Sequence, residues 1–367
     1  MPMSQYRGGR TSLVALTVVV TLMWSATAAH AITIVVDYTH DTFISTHSGA
    51  QAALEAAAAD LSNYIQTPLN ATSSSDQGEH NQASVSANWD FGYVNPATGS
   101  STTTSGPMAA DEVRVFAGVR NLTGNTLGQG GPGGAWPSGG AVPYSYSPAA
   151  VGDLGIAVDN FNASASDNML RDGGPHIGTL TAAITAEGQT FQMAVDYGVS
   201  VGHIWFDSDT NNSGSTDTQG QLEAFWHFDH TTDVAVGKFD FYTVALHELL
   251  HVLGIGSSLS WDNLVDGTTW LGSSVADLLG SGAGAVSSDG SHIASSLQSY
   301  DLVNGDLQYT VMGPTLAAGE RRYLTELDAA FLADIGWSVI PEPGTVSILL
   351  FGTATLLLRR RRMQAGV

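Results

Sequence analysis

The residues best suited to chemistry are His247, Glu248 and His251. The His-Glu-x-x-His spacing sets the two histidines one helical turn apart, so both imidazoles leave the same face. Two neutral imidazoles so placed suit Zn²⁺. Glu248 stands beside them, positioned to take a proton from a metal-activated water. A helix with two surface histidines is the plainer reading. It accounts neither for the apolar residues Val244, Leu246, Leu250 and Leu253 nor for Gly254 directly after them.

These residues need a helix to hold them. Asp240 is a suitable N-cap, residues 241–253 are helical in pattern, and Gly254 can end the helix. Upstream, Ile32–Val36, Glu112–Val119 and Val201–Phe206 read as strands. Residues 49–65 carry apolar positions at helical spacing. Residues 70–82 and 96–110, rich in Ser, Thr, Gly and Asn, read as loops, and the Gly/Pro run within 123–150 is expected to lack regular structure. Asp207, Asp209 and Asn211 alternate as in calcium loops. Position 212 is Asn, not Gly, and no glutamate stands twelve on, so an acidic surface turn is expected.

Composition narrows the classes. The 367 residues include 34 acids, 12 bases and no cysteine, for a net charge of −22. Acidity disfavours nucleic acid, whose phosphates need clustered Lys and Arg. Without cysteine there are no disulfides, thiol nucleophiles or Cys-bound zinc. Six of the 12 bases are arginines at the two ends. Without them six bases face 34 acids, a balance of 6 − 34 = −28.

Those ends read as addresses. Arg7 and Arg10, an apolar run from Leu13 to Trp24 and Ala29-His30-Ala31 form a secretory signal peptide, 1–31. Residues 340–367 contain Pro341-Glu342-Pro343, an uncharged apolar run to Leu358 and four arginines, a short membrane anchor with a basic stop. This segment resembles the PEP-CTERM sorting signal of Gram-negative bacteria. The resemblance implies transient anchoring in the inner membrane, processing by an exosortase after signal peptidase, and release to the cell surface or outside.

The stretch His247-Glu248-x-x-His251-x-x-Gly254 resembles the metzincin peptidases. Most of these carry a third histidine ligand three residues after the glycine, where this chain has Ser257. The leishmanolysin-like branch carries a long insertion there instead. Only His292 follows His251, and it matches that third ligand; Asp262, Asp277 and Glu320 are the alternatives. Tyr309–Pro314 is similar to the family's Met-turn, with Met312 at its centre. Leu324–Trp337 resembles its C-terminal helix, with Thr325 and Asp328 as a capping-box pair. A structural zinc on His203, His227 and His230 with Asp207 is a minor option.

The resemblance implies an α+β, zincin-like fold. Residues 32–254 would form a subdomain with a twisted mixed sheet and the active-site helix, and 255–339 a smaller one with the third ligand and Met-turn. It implies a secreted zinc endopeptidase acting on protein or peptide substrate, with Glu248 as base and the strand at Val201–Phe206 pairing with substrate. A non-catalytic surface or matrix protein on the same scaffold is the alternative.

Overall fold

Three of the expected strands lie side by side in one sheet. β1 (Thr33–Asp37) pairs in parallel with β5 (Glu112–Arg120), which pairs in parallel with β11 (Val201–Asp207). β6 (Gly128–Pro132) closes the edge, antiparallel to β11. Every residue of β11 is buried, as expected of an interior strand between two layers. The computed structural model describes residues 32–339. The expected signal peptide, 1–31, and the expected sorting segment, 340–367, lie outside the described residues.

Helices cover this sheet. α1 (Ser48–Tyr64) buries Ala50, Ala53, Leu54, Ala57 and Leu61, one stripe at helical spacing. It packs against β1 and against α4 (Phe241–Val252), the helix that carries the His-Glu-x-x-His residues. Between them in sequence lie α2 (Val151–Leu170) and α3 (Gln219–Phe225). The chain after α4 adds α5 (Leu259–Asp262), α6 (Ser273–Leu279) and α7 (Glu326–Ile335). One continuous core runs from Ile32 through α4 to Trp337, so both halves of the chain share it.

A second core lies alongside. β2 (Ser75–His80), β3 (Ala83–Val94) and β4 (Ser101–Ser105) form an antiparallel sheet, joined along β3 by β7 (Gly134–Pro137) and β8 (Tyr144–Ser145). The hairpin of β9 (His176–Ala186) and β10 (Gln189–Gly198) and the helix α2 enclose Val85, Trp89, Phe91, Phe161 and Met193. Three short pairs complete the strands: β12 (Trp226–His227) with β13 (Phe239–Asp240), β14 (Val265–Asp266) with β15 (Thr269–Trp270), and β16 (Gln298–Tyr300) with β17 (Leu307–Tyr309). Arg171, wholly buried after α2, ties the second core to the sheet by donating to the carbonyls of Asn70, Ala109, Glu112 and Val199.

The architecture is thus mixed α+β with mixed sheets. Three expectations need correction. The Gly/Pro run contains β6, β7 and β8, because pairing to β11 and β3 satisfies backbone groups that no local propensity would order. The Ser/Thr-rich stretches 70–82 and 96–110 contain β2 and β4 for the same reason. The turn after β11 is not a surface display of acids. Asp207, Asp209 and Asp217 are 4%, 3% and 8% exposed. Their carboxylates turn inward to accept loop N–H and hydroxyl groups, among them Leu122 N, Gly214 N and Thr210 N. Among the described residues no helix is long and apolar enough to cross a membrane.

Candidate metal centre

α4 supplies two of the three histidines. Its N-cap Asp240, wholly buried, accepts from Thr243 N–H at 3.1 Å. Arg321 donates twice to the same carboxylate, at 3.0 and 2.7 Å, which fixes the helix start. His247 and His251 leave the helix with ring centroids 4.9 Å apart.

The third comes from a distant arm, residues 287–293. After α4 the chain turns at Gly254 and passes Gly256, which has φ +70°. A Cβ at Gly256 would lie 2.0 Å from the Ser291 carbonyl oxygen, so only glycine lets the arm seat against the helix end. Trp261 Nε1–H donates to Gly290 O at 2.8 Å, and Ile293 N–H to Met312 O at 2.9 Å. These contacts bring the His292 ring to 5.2 Å from His247 and 5.1 Å from His251. Ligating atoms of all three lie within 4.8 Å of one another.

Each imidazole is held by its Nδ1. His247 Nδ1 meets Val311 O at 2.8 Å, His251 Nδ1 meets Ile255 O at 2.7 Å, and His292 Nδ1 meets Asp289 Oδ2 at 2.9 Å. A carbonyl or carboxylate oxygen only accepts, so each Nδ1 carries a proton and Nε2 is the nitrogen left to ligate. Burial also keeps the two rings on α4 neutral. It holds His251 down to about 4, and it holds His247, further opposed by His251, well below the ordinary range. Three imidazoles with their ligating atoms this close form a set that can hold a metal ion.

Glu248 lies beside the set, 4% exposed, and burial raises its carboxyl to about 8. The edge strand passes directly over it. A Cβ at Gly128 would sit 2.9 Å from Glu248 Oε1, and one at Gly130 only 2.6 Å from Glu248 O. The glycines misread as a loop signal are therefore what lets β6 lie across the helix. A cleft of about 1060 Å³ runs along this face, lined by Gly128–Gly130, Val244, the three histidines, Val311 and Leu316.

Comparison with known proteins gives no match: no family model, no curated protein and no solved structure aligns significantly with this chain. The site therefore rests on its own geometry.

That geometry sorts the candidate residues. His247, Glu248, His251 and His292 come together. Met312 is wholly buried in the turn whose Val311 carbonyl orients His247. Asp328, buried in α7, accepts from the N–H groups of Val311 and Met312 at 3.0 and 3.1 Å and closes a capping box with Thr325. Of the alternative ligands, Asp262 and Asp277 are exposed on other helices, and Glu320 pairs with Arg322 at 2.8 Å. Ser257 donates to His251 O at 2.6 Å, a supporting role. His203, His227 and His230 form no metal-holding group with Asp207 among the described residues. His203 is instead buried and stacked on Trp205. The strand expected to pair with substrate is corrected as well: β11 is bonded on both edges, and the strand with an edge on the cleft is β6. Asp289, Ile255 and Val311 were not legible as supports, since Ile255 and Val311 act through backbone carbonyls, and Asp328 was legible only as a helix cap.

Proposed function

We propose that the chain is a zinc-dependent endopeptidase of metzincin type. The observation that carries this reading is the set of three Nδ1-anchored histidines beside a buried glutamate on an open cleft. The donor set fits Zn²⁺, since three imidazole nitrogens leave a fourth tetrahedral position open, as in catalytic zinc sites. Zinc bound there supplies Lewis acidity: it makes water nucleophilic near neutral pH, polarises a carbonyl and favours the ionised form of a nearby carboxyl.

The remaining work falls to the protein. Glu248 accepts the proton of the attacking water and returns it to the leaving amine. β6 offers N–H and C=O groups along the cleft to an extended peptide. Its glycines keep that edge clear and Glu248 accessible from it. Export through a signal peptide and sorting by an exosortase, with transient anchoring, complete the proposal and rest on residues 1–31 and 340–367.

Casein hydrolysis by the zinc-loaded protein tests it. Glu248→Ala should keep zinc and lose activity by about 10²–10⁴-fold. Bound zinc with no hydrolysis by the wild type, across several protein substrates, would favour the non-catalytic surface protein instead.

A further inference from the structure

The three histidines differ in what holds them. His247 and His251 stand on a helix and each donates to a backbone carbonyl. His292 stands on the arm, partly exposed, and donates to a carboxylate. Asp289 uses both oxygens there: Oδ1 accepts Ser291 N–H at 2.9 Å, and Oδ2 accepts His292 Nδ1–H at 2.9 Å.

Apart from the Ser291 N–H, the backbone contacts of the arm do not involve that side chain. Ser287 N–H donates to His292 O at 2.8 Å, Trp261 holds Gly290 O, and Ile293 N–H donates to Met312 O. What these contacts leave open is rotation of the imidazole about its own bonds. Among the described residues, the hydrogen bond that restrains the ring is the one to the Asp289 carboxylate. A carboxylate behind a ligating histidine also raises the ring's basicity and offsets part of the charge of a bound dication.

We propose that Asp289 is the positioning residue of the third ligand, turning His292 Nε2 toward the metal and strengthening its hold. The proposal rests on the zinc centre proposed above. It does not make Asp289 a catalytic residue, since its oxygens are occupied by His292 and Ser291.

Zinc affinity of the full chain, measured by chelator competition, tests it in Asp289→Ala, Asp289→Asn and His292→Ala beside the wild type. Asp289→Ala should weaken zinc binding by roughly 10–100-fold, the usual cost of losing such a support. Asp289→Asn keeps an acceptor but loses the charge, and should fall between Ala and wild type. The melting temperature of the zinc-stripped proteins should stay unchanged. Wild-type zinc affinity in Asp289→Ala would overturn the proposal while leaving the metal centre intact. A weakened zinc site accompanied by an equally weakened stripped fold would also overturn it, in favour of a merely structural aspartate. If the wild type binds no zinc, or His292→Ala binds it as tightly, the ligand set itself is wrong and the proposal falls with it.

Discussion

The helix α4 and the 287–293 arm deliver the same kind of group to the same point by opposite means. On α4 the spacing of His247 and His251 follows from helical repeat, and the helix is buried almost throughout. The arm has no regular structure to set its direction. Gly256, Trp261 and the turn at Met312 set it from three separate places in the chain. A ligand pair can thus be encoded locally, while the third depends on tertiary contacts that tolerate little change.

Removing ligands should produce the largest effects. His251→Ala and His292→Ala should both lose stoichiometric zinc on dialysis, while Asp262→Ala keeps it, as read by metal analysis. Retention by His292→Ala and loss by Asp262→Ala would break the comparison, because the arm would then not be a ligand arm.

Gly256→Ala probes the arm alone. The added Cβ meets Ser291 O, and φ +70° is strained for alanine. A cost of about 1–3 kcal/mol in denaturant unfolding is expected, together with weaker zinc binding. An unchanged zinc affinity would mean that the seat at Gly256 does not position His292.

Asp328→Asn probes the support on the α4 side. It exchanges a fully buried carboxylate, bonded to Val311 N and Met312 N, for an amide that cannot accept all its bonds. A loss of about 1–3 kcal/mol is expected by chemical unfolding. The turn also carries the carbonyl that orients His247, so zinc should weaken in parallel.

The smallest effect separates ligand histidines from a structural one. Burial, and then Arg120, hold His203 down to about 4. Its folded value lies below the ordinary one, so its contribution is complete above about 6.5 and is lost as pH falls toward 4. Between pH 7.5 and 5.5 it should account for about 1 kcal/mol of lost stability. His203→Gln should flatten the unfolding-midpoint profile by that amount in zinc-stripped protein. An identical slope in the variant would assign the pH dependence to other groups.

Much of the site helix was legible for a physical reason. Apolar spacing, the Asp240 cap and Gly254 act within a few residues of α4. The α1 stripe and the β-branched runs of β5 and β11 are local signals too. β6 was not legible, because Gly128, Gly130 and Gly131 have no strand preference and are ordered by pairing to β11. α2 went unassigned although Leu154, Ala157, Phe161, Ala165 and Met169 carry helical spacing, broken up by Gly152 and Gly155. At the site, His292 could be matched by resemblance, but its supports could not. Ile255 and Val311 act through carbonyls, which every residue has, and Asp289 is one acid among 34.

The most direct test of the account is anomalous diffraction at the zinc edge from crystals of the zinc-loaded protein. One peak is predicted, bonded by the Nε2 atoms of His247, His251 and His292 at about 2.0–2.1 Å, with a fourth position left to solvent. A peak lacking His292, or one closed by a fourth protein ligand, would contradict an open, hydrolytic centre.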